Sequence, residues 1–112
     1  MKNKIYISAP ISGYDIEERR VTFKAVADIL ERQGYIVFNP MDNGVPAEAA
    51  TKYHMRADFK MMLQSDEVVF LDKWLHSAGC HTEFMVAAAI GLTIHFGTFE
   101  NGVLTMTENN FR

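Results

Sequence analysis

The stretch that decides the fold is residues 68–91, which read VVFLDKWLHSAGCHTEFMVAAAIG. It opens with four apolar residues, 68–71, a run typical of a parallel strand that is buried on both faces. After a short loop, apolar residues recur at helical spacing over residues 79–90, and Gly91 follows where a helix would end. A buried strand followed by a helix is the repeating unit of α/β folds.

The rest of the chain alternates in the same way. Apolar runs predict strands over residues 4–9, 35–38 and 92–96, with a short last strand over 103–106. Helical periodicity predicts helices over 15–33 and 51–64, and the turn formers and alanines of residues 41–50 indicate a loop. Because this alternation implies right-handed crossovers, we predict an α/β three-layer sandwich. It would have a flavodoxin- or Rossmann-like parallel sheet of four to five strands with flanking helices.

Length and composition indicate one globular domain spanning residues 1–112. Hydrophobic residues make up 48% of the chain and charged residues 22%, which excludes disorder and fibrous repeats. The net charge is −3 and the 11 basic residues are scattered, so neither a nucleic acid polymer nor a membrane is an expected partner. No apolar run approaches the roughly 20 residues that span a bilayer, and we expect no signal peptide. The lone Cys80 fits a reducing compartment, so a cytoplasmic location is expected.

Glu83 is the first candidate catalytic residue. Ligands of open parallel sheets bind at the carboxyl ends of the strands, where helix N-termini point their positive dipole ends. Glu83 lies four residues after Gly79 in the first turns of a predicted helix, on an otherwise apolar stripe of Val86, Ala87 and Ile90. A carboxylate is costly on a face that packs against a sheet, which favours a role as an ionised nucleophile in a cleft. Acids in first turns also simply complement the dipole, so position alone leaves both interpretations open.

Asp58 is the second candidate acid. It lies at the edge of the apolar stripe of the predicted helix 51–64. A second carboxylate near the first could orient it, raise its proton affinity, or pass a proton to a leaving group. An ion pair on the helix surface, with Arg56 or Lys52, is the simpler alternative.

Two predicted loops carry candidate substrate-binding residues. The loop after strand one offers hydroxyls and backbone amides that suit a phosphate or the edge of a sugar: Ser8, Pro10, Ser12 and Gly13. The loop after the third strand offers Asp72 and Trp74, an aromatic residue that could stack on a base or cover the core. No GxGxxG or Walker A pattern occurs, and the histidines show no metal-ligand spacing. We therefore expect no dinucleotide, no metal and no other cofactor.

Three segments carry a family resemblance that extends over nearly the whole chain. They are KIYISAPISG at residues 4–13, YHMRAD at residues 53–58 and WLHSAGCHTE at residues 74–83. With them the chain resembles the nucleoside 2-deoxyribosyltransferase-like superfamily, and in particular DUF4406, a branch of unknown function common in phages and prophages. The better-known relatives are deoxyribosyltransferases and 2′-deoxynucleoside 5′-phosphate N-hydrolases.

The resemblance implies roles for individual residues. The S-x-G-x-x-x-E element of the superfamily matches Ser77, Gly79 and Glu83 in spacing, which implies that Glu83 is the nucleophile. Asp58 matches the helper aspartate of the family, and Ser77 matches the serine that holds the 5′-phosphate in the hydrolases. The first loop departs from the hydrolases, because Pro10 stands where they carry more glycine and basic residues. Superfamily members are dimers or larger, so a homodimer or higher homo-oligomer is expected.

The implied activity is cleavage or transfer of the N-glycosidic bond of a 2′-deoxynucleoside or its 5′-monophosphate, through a covalent glycosyl-Glu83 intermediate. Water as the second nucleophile gives hydrolysis and a second base gives transfer, and the sequence leaves both open. A non-catalytic nucleotide-binding or nucleotide-sensing protein of the same fold is the alternative.

A phosphorylation-dependent receiver module is disfavoured, although Asp72 ends a strand where a receiver carries its phosphoacceptor. A receiver would carry an acidic pair after strand one, and here that strand leads into Ser8-Ala9-Pro10. It would also carry a lysine after the last strands, and here strand four leads into Gly97-Thr98.

Overall fold

The structure is a computed structural model that describes residues 2–109. Strands and helices alternate in the order β1 (Lys4–Ser8), α1 (Ile16–Arg32), β2 (Ile36–Phe38), α2 (Thr51–Leu63), β3 (Glu67–Phe70), α3 (Ala78–Ile90), β4 (Thr93–Glu100) and β5 (Val103–Asn109). Short 3-10 helices lie at Pro40–Asp42 and Trp74–His76. From β1 to α3, every helix and strand begins and ends within one residue of its predicted bounds.

The strands form one sheet in the order β2-β1-β3-β4-β5. The first four are parallel, and β5 pairs with β4 antiparallel. This confirms the predicted α/β class, with a mostly parallel sheet of five strands. From β1 the chain goes to β2 on one side and then crosses back to β3 on the other. The crossovers diverge at the carboxyl ends of β1 and β3, where sheets of this order form their ligand crevice.

Helices cover both faces of the sheet. On one face, α1 packs a buried stripe against Ile5, Ile7 and Val69; the stripe consists of Phe23, Val26, Ala27 and Leu30. On the other face, Met62 of α2 and Ala87 of α3 pack with buried strand residues: Tyr6, Val68, Phe70 and Ile94. Because side chains alternate along a strand, Tyr6 and Ser8 both point to the face that carries α2 and α3.

The chain ends in a β-hairpin that differs from the predicted strands. Both β4 and β5 extend beyond their predicted ends, to Glu100 and Asn109. Asn101 and Gly102 join them with positive φ angles of 51° and 76°, as a two-residue turn of the primed type requires. An Asn-Gly pair between two extended runs is the sequence signal for this hairpin, and a search for apolar runs alone does not detect it.

Two of the three helices have side-chain caps at their N-termini. Asp15 accepts hydrogen bonds from the backbone of Glu17 and Glu18 at the start of α1, and Ser77 accepts one from Cys80 at the start of α3. Helix α2 follows Ala50, which supplies no side-chain cap. None of the helices over residues 2–109 is long and apolar enough to cross a membrane.

Candidate active site

Glu83 lies on the face of α3 that packs against the sheet. The residue is only 5% exposed and shares this face with Cys80 and Ala87. Two hydroxyl groups donate hydrogen bonds to its carboxylate: Tyr6 Oη to Oε2 at 2.6 Å, and Ser8 Oγ to Oε1 at 2.9 Å. Each carboxylate oxygen therefore has its own donor, and the group is held in one orientation.

Both donors come from β1 because they are two residues apart on one strand and share a face. Ser8 is the last residue of β1 and pairs in register with Phe70, the last residue of β3. Glu83 therefore sits at the carboxyl ends of β1 and β3, the position at which a sheet of this order places its ligand crevice.

The Glu83 carboxyl titrates near neutral pH. Burial raises its pKa from the ordinary 4.5 to about 7, the hydrogen bonds from Tyr6 and Ser8 oppose that shift, and the nearby charge of Asp58 adds to it. Burial, and then the charge of Glu83, raise the pKa of Tyr6 well above its usual value, so its hydroxyl remains a donor. A carboxyl group with a pKa near 7 is a functional-site candidate, because it can lose or gain a proton at working pH.

Asp58 lies on α2 and is 8% exposed. Its Oδ1 accepts a hydrogen bond from Asn43 Nδ2 at 2.9 Å. Burial raises the pKa of Asp58, while this hydrogen bond and the nearby His54 act in the opposite direction. Arg56 and Lys52, the surface partners considered for Asp58, instead lie over the ring of Tyr53. Asp58 is thus a buried neighbour of Glu83, and its charge contributes to the raised pKa of Glu83.

Comparison with known protein families shows to which family this chain belongs. The model of DUF4406, a domain of unknown function, matches residues 3–96, a range that includes both Asp58 and Glu83. The chain belongs to this family. A comparison with curated proteins gives no match.

A solved structure shares the fold of this DUF4406 protein. It is a 2-deoxyribosyltransferase from the psychrotolerant bacterium Bacillus psychrosaccharolyticus, 16% identical, with a TM-score of 0.67 over 91% of this chain and 77% of that one. This likeness confirms the nucleoside 2-deoxyribosyltransferase-like fold.

In the DUF4406 protein, Ser77 and Gly79 both lie at the N-terminus of α3. The Ser77 hydroxyl accepts from the Cys80 amide at 3.2 Å and thereby caps the helix. A methyl group added at Gly79 would lie 3.6 Å from Met55 Sδ, an ordinary contact, so packing does not require glycine there. The substrate-binding roles of Ser77 and Gly79 stay predictions.

Ser8, at the start of the first loop, donates directly to the Glu83 carboxylate. The other substrate-binding residues predicted in this loop lie further along the chain. Arg19 Nη1 donates to the carbonyl oxygen of Pro10 at 3.1 Å, which fixes the loop to α1. Ser12 and Gly13 are exposed, and Gly13 adopts a φ of 86° in a turn. Substrate binding by Pro10, Ser12 and Gly13 stays a prediction.

Trp74 packs into an aromatic cluster on the α3 face of the sheet. Its ring stacks on Phe84 at 5.0 Å and on Phe96 at 5.3 Å, measured between centroids. Asp72 is exposed beside it, and both residues line a cleft of about 340 Å³ over the carboxyl end of β3 and the middle of β4. Trp74 therefore covers the core, and a role for Trp74 or Asp72 in substrate binding stays a prediction.

Two residues that contact the candidate acids, Tyr6 and Asn43, are not among the residues predicted from the sequence. Tyr6 lies in a run whose β-prone residues predict only a strand, although its spacing from Ser8 places both polar groups on one face. Asn43 lies in the stretch interpreted as a loop, and no local pattern connects it with Asp58. Over residues 2–109, no group of three or more histidine, cysteine, aspartate or glutamate side chains could hold a metal ion.

Proposed function

We propose that the chain, acting as one domain over residues 1–112, cleaves or transfers the N-glycosidic bond of a 2′-deoxynucleoside or its 5′-monophosphate. Glu83 is the nucleophile of this proposal. The observation that carries it is the buried Glu83 carboxylate, which two hydroxyl groups orient at the ligand crevice of the sheet and whose pKa is about 7.

In the first step, a Glu83 oxygen attacks the anomeric carbon of the deoxyribosyl unit. The C–O bond forms while the bond to the base breaks, and the electron pair of that bond leaves with the base. Asp58 or a water molecule supplies the proton that neutralises the departing base. The product is a glycosyl ester of Glu83.

In the second step, an oxygen of water or a nitrogen of a second base attacks the same carbon and displaces the Glu83 carboxylate. Asp58 or a water molecule accepts the proton that the attacking group loses. Two displacements retain the configuration at the anomeric carbon. Tyr6 and Ser8 remain protonated donors, which stabilise the carboxylate that each cycle regenerates. In the monophosphate reaction, Ser77 is proposed to bind the 5′-phosphate.

The test is incubation of the protein with deoxynucleosides and with their 5′-monophosphates, followed by chromatography for free base. We expect release or exchange of base by the wild type and none by Glu83→Gln. Glu67→Gln is the matched control, because Glu67 is also a buried glutamate but lies at the other end of the sheet. No turnover by the wild type, with nucleotide binding intact in Glu83→Gln, would instead identify a non-catalytic nucleotide-binding protein.

We also propose that the protein forms a homodimer or a larger homo-oligomer. The exposed residues of α3 support this, because His81 is the only one among them with an acidic or basic side chain. They are Ala78, His81, Thr82, Met85, Ala88, Ala89 and Ile90, with Met85 70% exposed. Sedimentation of Met85→Lys tests it, with Val21→Lys as the control, since Val21 is equally exposed on α1. We expect Met85→Lys to reduce the assembly and Val21→Lys to leave it intact; a monomeric wild type would contradict self-association.

A further inference from the structure

Asn43 connects the loop after β2 to the helix that carries Asp58. Its Nδ2 atom donates to Asp58 Oδ1 at 2.9 Å and lies 3.1 Å from His54 Nδ1, while its Oδ1 accepts from the Val45 amide at 2.9 Å. In the described part of the chain, Asn43 makes the only side-chain hydrogen bonds between residues 43–50 and α2. Since α2 has no side-chain cap, these hydrogen bonds fix the loop to the first half of the helix.

The orientation of the Asn43 amide follows from its three neighbours. Turned over, its carbonyl oxygen would face the Asp58 carboxylate, and its amino group would face the Val45 N–H. The amino group therefore points to Asp58 and His54, with one hydrogen for each. The second hydrogen is directed at His54 Nδ1, which lies 3.1 Å from Asn43 Nδ2.

The hydrogen bond leaves one oxygen of Asp58 without a protein donor. Among the described residues only Asn43 donates to Asp58, and it does so through Oδ1. No fully buried side-chain oxygen in this part of the chain lacks a partner, so Oδ2 keeps some access to solvent. Asp58 is thus fixed through one oxygen and open through the other, as a group that exchanges a proton with a leaving base requires.

We propose that Asn43 is a positioning residue for Asp58: through the Asn43–His54–Asp58 cluster it fixes the rotamer of the Asp58 carboxyl group. The catalytic meaning of this inference rests on the proposed glycosidic chemistry. The hydrogen bonds themselves do not, and they can be tested separately.

The cluster also bears on Glu83. The charge of Asp58 raises the pKa of Glu83 and of Tyr6, so a change in Asp58 ionisation reaches both. His54, on the same helix, acts on Asp58, and Asp58 acts in turn on Glu83 of α3 and on Tyr6 of β1. Asn43, which lies in the loop after β2, therefore acts on Asp58 from outside the sheet and the helices.

Asn39 supplies a matched control for Asn43. Its Oδ1 accepts from the Met41 amide at 2.9 Å, as that of Asn43 accepts from Val45, but Asn39 makes no hydrogen bond to Asp58. Serine can still accept from the turn amide and is too short to reach Asp58. Asn43→Ser and Asn39→Ser therefore alter similar turns, and only Asn43→Ser removes the donor from Asp58.

The experiment follows the Asp58 carboxyl by ¹³C NMR titration, with its signal assigned from the spectrum of Asp58→Asn. We expect Asn43→Ser to raise the titration midpoint of Asp58 by about one pH unit and Asn39→Ser to leave it unchanged. Asn43→Asp, which keeps the chain length and the turn acceptor, is the second variant if Asn43→Ser fails to fold. It should raise the highest aspartate midpoint further, because a like charge faces Asp58.

Kinetics provide the second readout. We expect Asn43→Ser to lower kcat roughly tenfold to a hundredfold with little change in KM, because the substrate still binds but Asp58 is misplaced. An Asp58 midpoint that is the same in wild type and Asn43→Ser would overturn the inference. A shifted midpoint in a protein without turnover would support the role of Asn43 and reject the proposed function.

Discussion

Glu67 and Glu83 are both buried glutamates, 7% and 5% exposed, yet their pKa values move in opposite directions. Glu67 begins β3, at the amino end of the sheet, and three side chains donate to it: Asn3 Nδ2 at 2.6 Å, Tyr35 Oη at 3.0 Å and His95 Nε2 at 2.6 Å. Burial alone would raise its pKa, but the hydrogen bonds and the charge of His95 outweigh burial and lower it.

Glu83 has fewer donors and a different neighbouring charge. Two neutral hydroxyls donate to it, and the charge that acts on it is the carboxylate of Asp58, so burial prevails and its pKa rises to about 7. The comparison teaches that burial does not decide between a structural and a reactive acid. The number of hydrogen-bond donors and the sign of the neighbouring charge decide the direction of the pKa shift. Of the two glutamates, only Glu83, at the carboxyl ends of the strands, can gain or lose a proton near pH 7.

The largest expected effect separates the two glutamates by activity. Glu83→Gln removes the nucleophile and should lower kcat by roughly 10³-fold or more, because an amide cannot form the glycosyl ester. Glu67→Gln should leave kcat close to that of the wild type at a temperature where both variants are folded. Steady-state release of free base measures both; equal losses in the two variants would remove the distinction.

The second effect is the pH dependence of stability. Because the pKa of Glu83 is about 7 in the folded protein and near the ordinary 4.5 in the unfolded chain, its stabilising contribution is complete below pH 4.5 and lost as pH rises through 7. Relative to Glu83→Gln, the unfolding free energy of the wild type should fall by about 3 kcal/mol over that interval. Glu67 stabilises the protein in a different pH range. Because its pKa is lowered in the folded protein, its stabilising contribution is present above pH 4.5 and is lost as the pH falls through the pKa that it has in the folded state. Urea denaturation at several pH values measures this, and a constant difference between wild type and Glu83→Gln would contradict the raised pKa.

The third effect is the stability cost of Glu67→Gln. The substitution replaces a carboxylate that accepts three hydrogen bonds, so at least one buried donor loses its acceptor. We expect a loss of about 1–3 kcal/mol of unfolding free energy at neutral pH. Chemical denaturation checks it, and an unchanged midpoint would show that the Asn3, Tyr35 and His95 contacts contribute little.

The smallest effect concerns the tyrosine donor of each glutamate. Tyr6→Phe removes a hydrogen bond that lowers the pKa of Glu83, so that pKa should rise above 7. The acid limb of the kcat profile should move to higher pH, and the rate at pH 7 should fall about tenfold. Tyr35→Phe removes the corresponding donor of Glu67 and should leave the profile in place. An unmoved limb in Tyr6→Phe would mean that Tyr6 does not tune Glu83.

Much of the fold could be predicted from the sequence because its signals are local. The apolar run at residues 68–71 and the periodicity of residues 79–90 each lie within one element, and these elements appear within one residue of their predicted bounds. The terminal hairpin also had a local signal in Asn101-Gly102, which a search for apolar runs does not use.

The site could be predicted only in part. Glu83 stands out because an acid interrupts an apolar helical stripe, and its spacing from Ser77 carries the family resemblance. Its hydrogen bonds to Tyr6 and Ser8, and that of Asp58 to Asn43, join distant segments through the strand order and a loop conformation. No periodicity encodes such contacts. Likewise, Glu67 and His95 meet only because β3 and β4 are adjacent in the sheet.

The most direct test of the central claim is to trap the intermediate. A 2′-fluorinated arabinonucleoside should form the glycosyl ester and hydrolyse it slowly, because fluorine destabilises the oxocarbenium-like transition state. Intact-mass spectrometry should show the protein heavier by one fluorinated glycosyl unit, and peptide mapping should locate that unit on Glu83. An adduct on another residue, or rapid turnover of natural deoxynucleosides with no adduct formed from the fluorinated analogue, would contradict Glu83 as the nucleophile.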